Sequence, residues 1–333
     1  VAASDDRAPT MLDVARHAGV SHQTVSRYLA FSGGLKPQTS ARIDAAIRAL
    51  DYHPNLAARS MRTRRSGRLT VVLPPLVFNP ARLLAGATAA AHEAGYTVDV
   101  LSLDDTSHAR ESRVVEVANS GQVEGILSFA PITRHSRAYE RTPLVVSPDF
   151  DGEMRGTGDL AEATPIVEFM TTLASQGHRQ FLHIAGDLDF ASARARRETF
   201  LHTAESLALA QADVADGDWS GRSGLDAIRA LSTRDHPTAV IASNDHAAAG
   251  AMRGALDRGW RIPEDISITG WDNSSMGRYL ARSLTTVHVD LEGLGRASMQ
   301  RLVAKVGGNA ADQTAATDLH RVIWRESTAH AAS

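Results

Sequence analysis

The sequence predicts an all-α helix-turn-helix head followed by an α/β body of doubly wound parallel sheets. Three observations carry this. Two short amphipathic helical patterns near the start are joined by Ala18-Gly19-Val20-Ser21, short apolar runs alternate with helical patterns from about residue 68 onward, and charge divides between these two regions.

The charge division bears on partners. The chain has 333 residues with 35 Lys+Arg against 38 Asp+Glu, a formal net charge of -3 that speaks against a nucleic-acid partner. The average hides a split, because residues 1–66 hold 10 basic against 5 acidic residues while the remainder holds 25 against 33. A basic head therefore precedes an acidic body. Cysteine is absent, which excludes a disulfide framework, a thiolate nucleophile and a Cys-based zinc site. No signal-like or spanning apolar run is present, so the expectation is a cytoplasmic protein without a membrane partner.

In the head, Thr10 followed by Asp13 resembles a capping box that starts a helix with Val14, Ala15 and Ala18 on one face. Gly19 ends it by permitting positive φ, Val20 plugs the turn, and Ser21 caps a second helix whose buried stripe is Val25, Tyr28 and Leu29. His22, Gln23, Ser26 and Arg27 are left on the exposed face. Gln can pair with adenine and Arg with guanine through two hydrogen bonds each, and hydroxyls can hold phosphates. A lone Gln and Arg on a solvated helix would mean little; the turn, the caps and the basic balance together give them weight. Lys36-Pro37 opens a third helix with Ile43, Ala46, Ile47 and Leu50 as its core stripe.

In the body, strands are expected at 69–73, 97–101, 125–129, 144–147, 181–185, 239–243 and 266–270, with helices between them such as 82–94, 160–176 and 245–258. Ligands of such sheets bind beyond the carboxyl ends of the strands. Phe129, Asn244 and Asp272 stand at those ends, Arg196 follows the exit at Gly186-Asp187, and Trp219 lies in Gly217-Asp-Trp-Ser220. A carboxylate, an amide and a guanidinium near an indole suit a sugar, whose vicinal hydroxyls take paired polar groups while a flat ring covers its apolar face. Singly, Asp272 could cap a helix, Arg196 could be a surface charge and Trp219 could be core. Their shared strand-end placement favours a site.

Thr10 to Leu29, continued by Tyr52-His-Pro-Asn-Leu-Ala-Ala-Arg-Ser-Met-Arg62, resembles the DNA-binding head and hinge of the LacI/GalR family of bacterial transcription regulators. That resemblance implies that His22, Gln23 and Arg27 read bases and that Thr10, Ser21, Thr24, Ser26, Thr39 and Asn55 hold phosphates. It makes residues 55–67 a hinge, including Ala58, in which Met61 takes the minor-groove wedge position with Arg62 beside it. Across the body, Ser192-Ala-Arg-Ala-Arg196, Gly217-Asp-Trp-Ser220, Ser243-Asn-Asp245, Gly270-Trp-Asp272 and Leu284-Thr-Thr286 resemble effector-binding segments of lactose-type members. By the same resemblance Arg196, Asn244 and Asp272 would bind sugar hydroxyls, Trp219 would stack, Ser192 would line the wall and Asp149 would accept a further hydroxyl, while Phe129, an effector-binding candidate by its strand-end place, stands where lactose-type members have an amide.

The implied fold is a head over 1–54, the hinge over 55–67, and a periplasmic-binding-protein-like core over 68–333. Its first subdomain would comprise about 68–160 and 291–320, its second about 161–290 and 321–333. No Leu heptad precedes Ser333, so a homodimer is the expected assembly. The expected function is sequence-specific binding of double-stranded operator DNA as a repressor of sugar-utilisation genes, released by a sugar or glycoside. A corepressor-dependent repressor responding to a purine or other non-sugar ligand is the alternative. A sugar-transport protein or an enzyme is more remote: the sequence has no Gly-x-Ser-x-Gly elbow, phosphate-cradling Gly-Lys loop or His-Glu-x-x-His pair, and no catalytic residue, cofactor or metal is expected.

Overall fold

The structure is a computed structural model that describes residues 9–30, 35–53, 65–73, 80–103, 107–133, 135–151, 155–232, 236–309 and 319–331. The hinge residues Asn55, Ala58, Met61 and Arg62 lie outside them. The chain divides into two compact units, residues 1–66 and 67–333.

In the first unit, α1 (Met11–Ala18), α2 (His22–Ala30) and α3 (Pro37–Ala49) surround a small core of Val14, Ala15, Ala18, Val25, Ile43, Ala46 and Tyr52. The capping box forms as the sequence requires: the Asp13 amide donates to the Thr10 hydroxyl at 3.4 Å, and the Thr10 amide donates to the Asp13 carboxylate at 2.9 Å. Gly19 adopts φ 62° and ends α1. Arg42 of α3 donates to the Ala18 and Gly19 carbonyls at 2.5 and 3.0 Å, so the third helix holds the turn. The Tyr28 hydroxyl donates to Asp44 at 2.5 Å and ties α2 to α3.

In the second unit, β1 (Arg68–Leu73), β2 (Thr97–Ser102), β3 (Gly125–Ser128) and β4 (Leu144–Val146) form a parallel sheet in the order β2-β1-β3-β4. A second parallel sheet, β6-β5-β7-β8, repeats that order with β5 (Gln180–Ile184), β6 (Gln211–Ala215), β7 (Ala239–Ala242) and β8 (Ser267–Thr269). Each sheet is the framework of one subdomain. Helices α4 (Pro80–Glu93), α5 (Ser107–Asn119) and α6 (Ala138–Arg141) connect the first sheet; α7 (Thr164–Ser175), α8 (Ala191–Ser206), α9 (Gly221–Ala230) and α10 (Asp245–Asp257) belong to the second. Strand β9 (Thr286–Val289) then leads into α11 (Leu291–Val306), which packs on α4, and β10 (His320–Ile323) returns antiparallel to β9. The β9-β10 ribbon thus links the two subdomains.

Close helix packing relies on missing Cβ atoms. A Cβ on Gly86 would lie 1.8 Å from the Glu292 carbonyl oxygen, and one on Gly250 would lie 1.8 Å from that of Gly221, so α4 meets α11 and α9 meets α10 backbone to backbone. The C-terminal segment is fastened to the second sheet: the Ser327 hydroxyl donates to the Ile268 carbonyl at 2.6 Å, and His178 bridges Thr238 and the Ala329 carbonyl at 2.9 Å each. No helix among the described residues is long and apolar enough to cross a membrane.

All seven expected strands form. Strands β6, β9 and β10 fall outside that expectation. Strand β6 is a half-exposed edge strand with the sequence Gln-Ala-Asp-Val-Ala, which lacks an apolar run, and the β9-β10 ribbon pairs segments far apart in sequence.

Candidate nucleic-acid interface and ligand cleft

On the first unit, His22, Gln23 and Arg27 are exposed on α2, Ser26 is half-buried, and Val25 between them is fully buried. Burial of Val25 sets the roll of α2 and thereby turns Gln23 and Arg27 outward. The expected phosphate-holding hydroxyls are partly engaged within the head: Thr10 donates to Asp13 at 2.6 Å, and the Ser21 and Thr24 hydroxyls bond each other at 2.8 Å. Thr39 lies in the first turn of α3, at the positive end of the helix dipole, with its own amide donating to the Lys36 carbonyl at 2.9 Å.

On the second unit, the loops leaving β5, β6, β7 and β8 bring Ser192, Arg196, Trp219, Asn244 and Asp272 to the carboxyl edge of the second sheet. Ser192 and Arg196 are one turn apart on α8 and so share its face. Arg196 is 6% exposed, donates from Nη1 to the Ser243 carbonyl at 2.6 Å and places its guanidinium 3.8 Å from the Trp271 ring centroid and 5.5 Å from that of Trp219. Among the described residues its Nε donor has no hydrogen-bond partner. Burial pulls the Arg196 pKa down to about 10, against the pull of the Asp272 charge. The reciprocal effect is larger: burial pushes Asp272 up to about 7, with Arg196 opposing and nearby Asp245 assisting. A partly exposed carboxyl is therefore held near neutrality against a buried guanidinium, ready to accept or donate hydrogen bonds.

Backbone strain marks the same place. Trp219 has φ 68° and Asp272 has φ 97°, left-handed conformations that non-glycine residues adopt at a cost of about 1–3 kcal/mol. Trp219 fits only because position 186 is glycine: a Cβ there would lie 2.5 Å from its ring atoms. The Trp219 Nε1 donor is buried and has no hydrogen-bond partner among the described residues. Asp245, fully buried, fixes the other loop by accepting from the Ser274 amide and the Thr286 hydroxyl, both at 2.6 Å, and burial raises its pKa.

Two expected contacts have other surroundings. The Asn244 Oδ1 caps α10 by accepting from the Ala247 amide at 2.8 Å, and its Nδ2 donates to the Trp219 carbonyl at 2.9 Å. Each end of the amide makes one bond that holds a loop, leaving one donor and one acceptor position on the side chain. Phe129 is fully buried in the first subdomain, edge-on to Phe150 at 6.1 Å, with no surface to offer. Asp149 is half-buried and accepts from the Ser147 hydroxyl.

Sequence reasoning missed four neighbours. Phe190 sits edge-on to Trp219 with centroids 5.7 Å apart, and Arg155, from the loop after β4, stands 5.8 Å over the Phe190 ring. Trp271 forms the floor beneath Arg196, and His320 lies edge-on to it at 5.3 Å, with its pKa lowered to about 4 chiefly by burial. For Phe190 a signal existed, since an aromatic occupies the N-cap of α8 where Ser, Thr, Asp or Asn is worth about 1 kcal/mol. For Trp271 and His320 there was none, because their proximity arises from the β9-β10 ribbon.

Among the described residues no group of three or more His, Asp or Glu could hold a metal ion. A helix-turn-helix unit attached to a core of paired parallel sheets with a charged aromatic cleft defines a ligand-responsive DNA-binding regulator. Residues 10–55 match the model of bacterial regulatory proteins of the lacI family, and residues 170–328 match a periplasmic binding protein-like domain. The ribose operon repressor of Halalkalibacterium halodurans is 30% identical across 96% of this chain and 97% of its own length. The HTH-type transcriptional repressor PurR of Yersinia enterocolitica is 29% identical across 96% of this chain and 97% of its own length. The crystal structure of the lac repressor dimer bound to operator and the anti-inducer ONPF aligns with a TM-score of 0.71 at 26% identity, covering 97% of this chain and 100% of that one. The chain belongs to the lacI family and is a DNA-binding transcriptional regulator.

Proposed function

We propose that this regulator is a cytoplasmic homodimeric repressor of sugar-utilisation genes that leaves a palindromic operator when a sugar or glycoside fills the cleft of its core. The observation that carries the effector class is the set formed by Asp272, Arg196 and Trp219, a carboxyl, a guanidinium and an indole at one sheet edge. Vicinal hydroxyls can bridge the two charged groups while the indole covers C–H surface. Ser192 and Asp149 supply further polar contacts, and Asn244 and Phe129 support the walls. No catalytic step is assigned to any of them.

On the head, His22, Gln23 and Arg27 read base edges. Thr10, Ser21, Thr24, Ser26 and Thr39 face the backbone, with the hinge residues Asn55, Ala58, Met61 and Arg62 completing the contact. A dimer is supported by apolar side chains left exposed on the second subdomain, Leu256 at 52%, Met276 at 41% and Tyr279 at 85%. The ligand shifts the operator-bound state only by binding the released state more tightly. Fluorescence anisotropy on an inverted-repeat site from the gene's own promoter tests the DNA role. Affinity should fall steeply with salt and by roughly 10-fold or more in Arg27→Ala; binding that ignores both would overturn it.

A further inference from the structure

We infer that Phe190 is a second ring-binding platform, so that the effector has at least two linked rings, a disaccharide or an aryl glycoside, in preference to a monosaccharide. The inference rests on the sugar reading above and goes beyond it by assigning a residue and a ligand size.

Phe190 is placed against the interests of folding. It occupies the N-cap of α8 at φ -87° and ψ 130° and makes no side-chain cap, whereas Ser220, Asn244 and Asp290 cap α9, α10 and α11 with their side chains. It is only half-buried and belongs to none of the apolar core clusters. An aromatic that neither caps its helix nor fills the core has a surface available for something else.

Its orientation indicates what. The Phe190 and Trp219 rings meet at 5.7 Å with planes 80° apart, so together they form a corner with two differently directed flat faces. A single pyranose against Trp219, within reach of the Arg196 and Asp272 pair, does not extend to the Phe190 ring, over which the Arg155 guanidinium stands 5.8 Å from the centroid; a second ring joined through a bent glycosidic oxygen would pack against Phe190 beside that guanidinium. Arg155 comes from the opposite subdomain, and its guanidinium is held by Asp151 at 3.0 Å. The first subdomain therefore approaches the second at this platform, and a ring lodged there is touched by both. That contact couples effector size to the relative placement of the subdomains.

Calorimetry on the full chain tests this with glucose against cellobiose and maltose, galactose against lactose, xylose against xylobiose, and phenyl glucosides as the aryl arm. At least one two-ring ligand should bind 10-fold or more tighter than its single-ring parent. In Phe190→Ser that ratio should drop about 10-fold, the scale of one aromatic contact, while Phe190→Tyr retains it. Because serine supplies the missing cap, Phe190→Ser should also raise the Tm, an effect that a structural Phe190 would reverse. A parent sugar that binds as tightly as its two-ring relatives, a ratio that survives Phe190→Ser, or a lowered Tm with equal losses for both ligands overturns the inference and leaves the sugar reading intact. Failure of every sugar in the panel to bind overturns both.

Discussion

Asn244→Ala removes a side chain whose two ends hold separate loops. The cap on α10, formed at 2.8 Å, contributes about 1 kcal/mol, and the part-buried bond to the Trp219 carbonyl at 2.9 Å contributes about as much again. The carbonyl left without its partner adds to the loss, so about 2–3 kcal/mol should go, or roughly 4–10 °C in Tm for a unit of this size. All four tryptophans, Trp219, Trp260, Trp271 and Trp324, lie in residues 67–333, so intrinsic fluorescence follows unfolding of the core without interference from the head. Sugar affinity should fall too, through displacement of Trp219. Asn244→Ser, which keeps the cap alone, should recover about half of the stability. A variant that melts within about 1 °C of the parent but loses sugar binding would refute the structural role and make Asn244 a direct ligand contact.

Two further outcomes follow from the same geometry. Gly186→Ala should drive a rigid indole from its seat, cost about 1–3 kcal/mol, shift the tryptophan emission and weaken sugar binding; unchanged emission and affinity would contradict the packing described. Asp272→Asn should stabilise the ligand-free core by about 1–3 kcal/mol at pH 8 and hardly at all at pH 4. The folded carboxyl titrates at about 7 against about 3.9 when unfolded, so the native state loses stability as pH rises through that window. His183 and His320, lowered to about 4 by burial, add stability as pH rises from 4 to 6.5, but equally in parent and variant, so the difference between paired urea titrations isolates Asp272. A constant difference across pH would exclude the elevated carboxyl.

Much of this molecule was legible because its signals are local. Thr10 and Asp13 form a capping box wherever a helix follows them, Gly19 can only end a helix in that setting, and seven strands declared themselves as short apolar runs between helical patterns. The candidate ligand residues were found by their position after strands, which fixes the edge of the sheet but not the direction of a side chain. Asn244 shows the limit: an amide at a strand end suits a sugar hydroxyl and a helix cap equally, and its surroundings include a carbonyl from 25 residues away. Phe129 illustrates the same ambiguity for an aromatic, resolved by Phe150 packing against it. Trp271 and His320 were invisible because a ribbon of distant segments brings them together. Phe190 was readable in principle as a missing cap, yet its meaning depends on Trp219 standing beside it.

The coupling proposed for this chain runs from operator binding to a sugar held by Asp272 and Arg196. Anisotropy of a labelled operator with the full chain, titrated with the sugar panel and with purines, and repeated with Asp272→Ala, addresses it in one measurement. At least one sugar should release the parent, while Asp272→Ala binds the operator and stays bound at the same sugar concentration. Release of Asp272→Ala at the parent's sugar concentration, or tightening by a purine with no response to any sugar, would contradict it.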